Sequence, residues 1–439
     1  MKRYIILLYL VISVGIKAQT QYNPPTLTLN EIWNISESQN KQLKLASLSN
    51  EESEIGILEA KDKLLPELSV VGDFRINSKF LLYENGLFSS PQSVPIKDYG
   101  YGLGYNIDYN LYNGGKEKRN IEIKKEEKTR KQYEFELQKD NVKYMIAASY
   151  YDLYKFQEFE SLISTEISTE KKQLSTIESL NRNGIVLKSD VLRISVKLSQ
   201  LELSYSDVKK KINLTKQRIN ILMGRGSAEP LEISSEDILE PSDLQGSNYE
   251  DYLVVALNNS PDLKIVNSNL TLSELNIKQI KANLLPKVSL YSRYNYTYPQ
   301  ISFYPYSNDI WGFGQIGLKM TYSIDNLYKS KHSVAHAYNL NKQEIEKNDM
   351  KRDEISIKVK EAFLERQQAS ESVETAELTI RQSTESVRVI RNSYLNQQSL
   401  LTDLLDAENI LLQAKFNLTS AQVNLRLSHI KLLIITGIL

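Results

Sequence analysis

The chain has 439 residues, enough for two or three ordinary domains or one long one, and its 54 Lys and Arg balance its 54 Asp and Glu. That balance sets up no field to recruit nucleic acid, and the sparse Gly and Pro (17 and 11) exclude a collagenous or low-complexity chain. With no Cys, the fold is held by packing alone and lacks the acceptor for an N-terminal lipid anchor.

The first elements are Lys2 and Arg3, then an apolar run from Tyr4 to Ile16. Its 13 residues are too few to cross a bilayer as a helix but suit a secretory h-region, so residues 1–18 are expected to be a signal peptide cleaved after Ala18. No other segment approaches the ~18 apolar residues of a membrane helix. An exported chain without a helical anchor is the expectation. The 27 Tyr, against 10 Phe, suit a membrane–water boundary and equally a β-surface or a core.

Beyond the leader the chain reads twice. Tyr109 and Tyr322, Asp190 and Asp403, and Gly224 and Gly437 are each 213 positions apart. LLPELSV from Leu64 has its echo in LLPKVSL from Leu284, and NGIVLKSDVL from Asn183 aligns with NQQSLLTDLL from Asn396. Agreement at separated sites with one offset marks a duplication. Residues 27–224 form the first repeat and 249–438 the second, joined by an acidic linker, 225–248, that contains Pro230, Pro241 and Gly246.

Each repeat is expected to run helix, two strands, a very long helix, a turn and a helix. A helix over Glu31–Leu65 precedes a strand, Leu68–Asn77, with Leu68, Val70, Phe74 and Ile76 on one face. From Tyr99 to Leu111, large apolar or aromatic residues alternate strictly with Gly, Asn and Asp, a strong strand signal. In the second repeat Val288, Leu290, Tyr294, Tyr296 and Tyr298 form one strand face, and Ile316, Leu318, Met320, Tyr322 and Ile324 another. Strands of this length, apolar on one side only, fit a tilted transmembrane barrel, with a soluble sandwich as the competing reading. The connections Phe80–Asp98 and Gln300–Ile310 lie at the strand ends away from the helices and are expected to be external loops.

The helices carry coiled-coil seams. Leu187, Val191, Ile194, Leu198, Leu201, Tyr205, Val208, Ile212, Ile219 and Leu222 run in 3-4 spacing. The second repeat runs Leu400, Leu404, Ala407, Leu411, Ala414, Leu418, Ala421, Leu425 and Leu432. Gly115–Asn183 predicts a helix of roughly 100 Å, matched by Leu187–Gly224 at roughly 57 Å plus Tyr252–Leu285 at roughly 51 Å. Asn326–Asn396, about 107 Å, is matched in the same way by Thr402–Gly437 and Glu31–Leu65. One long helix beside two stacked half-length helices makes a helical cylinder whose waist holds the linker. The fold class is thus mainly α with transmembrane β, internally duplicated. Four strands per chain cannot close a barrel, and open edges cannot face lipid, so copies must share one. Three copies give twelve strands; two or four would also close.

The order and duplication of these segments resemble the TolC-type outer-membrane efflux protein family across essentially the whole mature chain. The carrying segments are LTLNEIWNIS from Leu27, LLPELS, LYNGGK at Leu111–Lys116, NRNGIVLKSDVL, INILMG ending at Gly224, and YLNQQSLLTDLLDAENIL from Tyr394. The resemblance implies a homotrimer with a twelve-stranded barrel in outer-membrane lipid and a long periplasmic α-barrel. Its tip would meet a periplasmic adaptor (membrane fusion) protein and an inner-membrane pump. The chain departs from the pattern where Gln397 replaces the glycine that Gly184 supplies, and where Asn326 onward lacks the Gly-Gly of Gly114–Gly115.

The turns around Asn183 and Gly184, and Asn396 and Gln397, are expected at the tip and in contact with the adaptor. Asp190 and Asp403 follow Ser189 and Thr402, which suits helix starts and dipole compensation. The resemblance instead places Asp403 and Asp406 at an acidic periplasmic entrance, where three copies would favour cations. Arg193 stands where Asp406 stands in the other repeat, and its pairing with an acidic tip residue would latch a closed state. His332 and His336 are four apart on a helix, a spacing that can bind zinc, but no Glu follows His332 in the hydrolase pattern and no third ligand is evident, so a solvated helix face and no metal site are expected. No catalytic or cofactor-binding constellation is legible. The expected function is an outer-membrane channel of a tripartite efflux or type I secretion system, a passive conduit; the alternative is an exported coiled-coil scaffold or adhesin without a pore.

Overall fold

The computed structural model describes residues 26–234 and 248–439. The expected signal peptide, and residues 235–247 of the linker, lie outside the described residues. In chain order the elements are β1 (Thr26–Leu27), α1 (Leu29–Gln39), α2 (Lys41–Asp62), β2 (Glu67–Ile76), β3 (Phe80–Leu82), β4 (Gln92–Val94), β5 (Tyr99–Tyr112) and α3 (Lys116–Arg182). They continue with α4 (Lys188–Leu222), β6 (Glu232–Ile233), α5 (Tyr249–Asn259), α6 (Pro261–Lys281), β7 (Lys287–Tyr298), β8 (Trp311–Thr321), α7 (Asn326–Leu395) and α8 (Leu401–Thr436). No described helix is long and apolar enough to cross a membrane.

Two helices expected to be continuous are broken. Glu31–Leu65 divides at Asn40, whose Oδ1 accepts from the backbone N–H of Gln42 (2.8 Å) and Leu43 (3.1 Å) and so caps a new helix. Tyr252–Leu285 divides at Ser260, because Pro261 has no N–H to continue the ladder and holds the residue before it extended. The last strand spans Trp311–Thr321, so the expected Tyr322 and Ile324 lie in the turn into α7.

The chain divides into two compact units. In the first, made of described residues 26–36 and 146–234, Leu29, Ile32, Tyr150, Leu153, Ile194, Ile219 and Met223 are fully or almost fully buried. β1 and β6 pair in parallel, Thr26 with Glu232 and Leu27 with Ile233, and the Tyr150 hydroxyl donates to the Ser234 carbonyl at 2.7 Å. The seam of α4 buries Val191, Ile194, Leu201, Val208, Ile212 and Ile219. Leu187, expected to open that seam, is 71 % exposed because it caps the helix from outside.

The second unit holds residues 37–145 and 248–439. Its four-stranded antiparallel sheet has the order β2-β5-β7-β8, so β2 and β8 are its edges. Tyr252, Ala256, Leu263, Ile355, Val359, Ala362 and Leu432 form its buried helical cluster. Along α7 the buried positions Ala362, Ala369, Ala376 and Ser383 recur every seven residues, and α8 repeats the pattern with Ala407, Ala414, Ala421 and Ser428. Small residues at heptad spacing on both partners let the two helices approach closely. α4 carries Ile194, Leu201 and Val208 where α8 carries Ala407, Ala414 and Ala421.

Candidate functional site: the polar sheet face and the helix turns

Strand alternation splits the sheet into two chemically distinct faces. The register aligns Leu68 with Ile107, Val70 with Tyr105 and Phe74 with Tyr101 across β2 and β5, then Tyr105 with Tyr294 and Leu103 with Tyr296 across β5 and β7. The apolar face ends on Ile316, Leu318 and Met320 of β8, which are 68–72 % exposed. The opposite face is built of polar rows. One runs Asp73, Gly102, Thr297, Trp311; the next runs Val71, Gly104, Asn295, Phe313; the third runs Ser69, Asn106, Arg293, Gln315.

The glycines of β5 are required on this polar face. A Cβ on Gly102 would stand 2.5 Å from Asp73 Oδ1, and one on Gly104 would stand 2.5 Å from the Tyr294 carbonyl and overlap Asn295. Polar side chains of β2 and β7 therefore lie flat across β5. Arg75 Nη1 donates to Asp73 Oδ2 at 2.6 Å, and Arg293 faces Asp108 at 3.8 Å. At the sheet end away from the helices, Asn308 joins the two long connections: its Oδ1 accepts from Lys97 N–H (2.9 Å) and its Nδ2 donates to the Pro95 carbonyl (3.1 Å). The first of these connections contains the β3–β4 hairpin.

The two helix turns are copies of one another. Gly184 N–H donates to the Asn181 carbonyl (3.0 Å) and Ile185 N–H to Leu180 (3.0 Å); 213 positions on, Gln397 N–H donates to Tyr394 (2.9 Å) and Gln398 N–H to Ser393 (2.8 Å). The next helices start at Lys188 and Leu401, one residue before the expected Ser189 and Thr402. Asp190 Oδ2 accepts from Leu187 N–H at 3.3 Å and Asp403 Oδ2 from Leu400 N–H at 3.0 Å. Each aspartate thus closes the return half of a capping box, since leucine has no side-chain acceptor. Asp406 and Arg193 are exposed, and neither makes an ion pair among the described residues. Asn183, Gly184, Asn396 and Gln397 are all exposed, as are His332 and His336. Sequence reasoning missed the pair of Arg391 Nη2 and Glu408 Oε1 at 2.9 Å, which ties α7 to α8 around a buried carboxylate. The two residues are 17 apart and meet only through the turn.

At the α5–α6 junction, a cavity of about 390 Å³ is lined by Asp140, Asp262, Lys358, Glu361 and Lys431 together with Ile355 and Ile434. Burial pushes the Asp140 carboxyl up to about 6; Glu136 adds to the rise, while Lys143 and Lys139 oppose it. On α7, Glu354 lies 2.6 Å from both Lys351 and Lys358, and hydrogen bonds from these two ammonium groups hold its carboxyl down at about 2.

Residues 253–437 match the family described as outer membrane efflux protein. Among curated proteins none matches significantly. The outer-membrane channel OprN has the same fold, with a TM-score of 0.76 at 18 % identity, over 93 % of this chain and 89 % of that one. The outer membrane protein VceC of Vibrio cholerae gives 0.75 at 15 % identity, over 93 % and 96 %. The open state of the Neisseria gonorrhoeae MtrE outer membrane channel gives 0.74 at 17 % identity, over 93 % and 88 %. At such identities the structures speak for the fold, which is that of channel proteins with an α-barrel and a β-barrel. The second repeat thus matches the sequence of the outer membrane efflux protein family over residues 253–437, and the chain shares the fold of TolC-type outer-membrane channels over 93 % of its length.

Proposed function

We propose that three copies of this chain close a twelve-stranded barrel and form a passive conduit across the outer membrane and periplasm. In this reading the channel serves a tripartite efflux or type I secretion system, with a periplasmic adaptor and an inner-membrane pump as partners. The observation that carries it is the sheet's two free edges. Among the described residues β2 and β8 have no neighbour on their outer sides, and Val70, Phe74, Ile316 and Leu318 beside those edges are 68–73 % exposed. Unpaired backbone N–H and C=O groups in hydrocarbon each cost several kcal/mol, so edge and apolar face together require a second copy. Asp403 and Asp406 are assigned to the periplasmic entrance, with Asp190 and Arg193 near it. Asn183, Gly184, Asn396 and Gln397 are assigned to adaptor contact. The linker 225–248 belongs at the waist, between repeats 27–224 and 249–438.

The test is a cysteine pair, one on β2 at Ser69 and one on β8 at Gln315, introduced together in the Cys-free chain. Oxidation in outer membranes should give covalent dimers and trimers, and the protein in planar bilayers should conduct. A chain that stays monomeric under oxidation and does not conduct is the pore-free scaffold instead.

A further inference from the structure

The polar face carries an aromatic stack that neither lipid burial nor strand alternation accounts for. Trp311 and Phe313 are opposite Thr297 and Asn295, on the face of Asp73, Arg75, Asp108 and Arg293. The apolar residues of the same strand, Ile316, Leu318 and Met320, turn the other way. The indole and phenyl rings are stacked, with centroids 5.8 Å apart and planes inclined by 18°. Phe303, from the connection before β8, leans on Trp311 at 5.2 Å, and its carbonyl accepts from Gln300 Nε2 at 2.9 Å. The connection thereby braces the indole and leaves Phe313 56 % exposed.

The wall beside the stack is low. Along the row of Trp311 come Thr297 and then Gly102; along the row of Phe313 come Asn295 and then Gly104. Two strand spacings, roughly 10 Å, separate the aromatic strand from the glycines. A flat ring can therefore lie against Phe313 with its rim over Thr297 and the Asn295 carboxamide, which itself lies flat across Gly104. Exposed aromatic area on a water-facing wall earns no burial on folding. Its π-faces attract planar rings by stacking and cations through the ring quadrupole.

We infer that the Trp311–Phe313 stack is a binding station for planar aromatic cations on the lumenal wall, near the outer mouth. The position in a lumen rests on the pore reading above; the stacking itself does not. Three copies would set three such stations at one level of the barrel.

The chain contains two tryptophans, and Trp33 is only 6 % exposed. Trp33→Phe therefore leaves Trp311 as the sole indole reporter. The probe is ethidium, a planar cation, with tetraethylammonium as a non-planar cation of equal charge. The full chain should show saturable quenching of Trp311 by ethidium and none by tetraethylammonium. In planar bilayers, ethidium should block the current transiently. Phe313→Thr, a good strand former, should shorten the blocks and weaken the quenching by ~10-fold or more at unchanged open conductance, and Phe313→Tyr should restore both. Conduction with blocks that ignore Phe313→Thr, or equal quenching by the two cations, overturns the station and leaves the pore standing. Saturable quenching by a chain that never conducts overturns the pore and leaves the stacking site. Loss of both overturns both.

Discussion

Gln397 holds the left-handed backbone conformation that Gly184 holds in the first turn, φ 60° against 73°. Both are the residue that reverses the chain after a long helix, and both donate the same turn hydrogen bond. A side chain at this position costs about 1–2 kcal/mol, whereas glycine costs only backbone entropy of ~0.5–1 kcal/mol. Gln397→Gly should therefore stabilise the chain slightly, by ~0.5–1 kcal/mol, and Gly184→Gln should destabilise it by about as much. Urea midpoints at unchanged slope would register both. A midpoint lowered by Gln397→Gly would mean that the glutamine side chain contributes more than its strain.

The entrance assignment separates two aspartates three residues apart. Asp403 caps the first turn of α8, while Asp406 is exposed without an ion pair among the described residues. Asp403→Ala should cost ~0.5–1 kcal/mol of stability, and Asp406→Asn should leave stability within ~0.5 kcal/mol. Both should weaken cation preference in a bilayer reversal-potential measurement, because each removes one carboxylate per copy. Unchanged selectivity in the double substitution would remove these residues from the entrance.

Asp140 makes stability depend on pH. Its carboxyl, pushed up to about 6 from an ordinary value of 3.8, keeps its proton in the folded chain at pH values where the unfolded chain releases it. Stability therefore falls as pH rises between these two values and is level above them. Asp140→Asn should remove that loss, stabilising the protein by ~1–2 kcal/mol at pH 7.5, a figure discounted for partial solvent screening, and by little at pH 3.5. Denaturation at the two pH values measures the difference directly.

Glycines of the sheet are not equivalent. A Cβ at Gly104 would meet the Tyr294 carbonyl at 2.5 Å, whereas one at Gly72 would find its nearest neighbour at 3.7 Å. Gly104→Val should cost ~1–3 kcal/mol and reduce the yield of heat-modifiable protein in outer membranes, while Gly72→Ala should be neutral. Equal behaviour of the two variants would mean that β5 shifts to accommodate the side chain.

The α7–α8 pair, with Ala362, Ala369 and Ala376 facing the Ala407, Ala414 and Ala421 helix, is the pair we expect to move when the channel opens. Small side chains bury less apolar area per contact than the Ile194, Leu201 and Val208 seam of α4, so repacking costs less. The same alanines would equally suit a tight static contact. An engineered disulfide between neighbouring copies near Asp403 should abolish transport, and one near Asn183 should not. Transport lost only with the Asn183 lock would assign the motion to the first-repeat helices instead.

The periodic parts of this fold were legible in the sequence because each side chain's environment there follows from its position in a repeat. The alternation from Tyr99 to Leu111 specifies a two-faced strand, and the 3-4 spacing along α4 specifies a seam; both are local properties of one segment. The duplication likewise located both helix turns. What depended on non-periodic contacts was decided only by the tertiary structure. Asn40 and Pro261 end helices whose apolar spacing runs on, because capping and a missing donor override periodicity. Leu187 looks like a seam residue and is a cap. The Arg391–Glu408 pair and the Trp311–Phe313 stack on a polar wall came from register and packing between elements. So did the half-buried position of Asp140, since a charge or ring in a sequence carries no record of what folds against it.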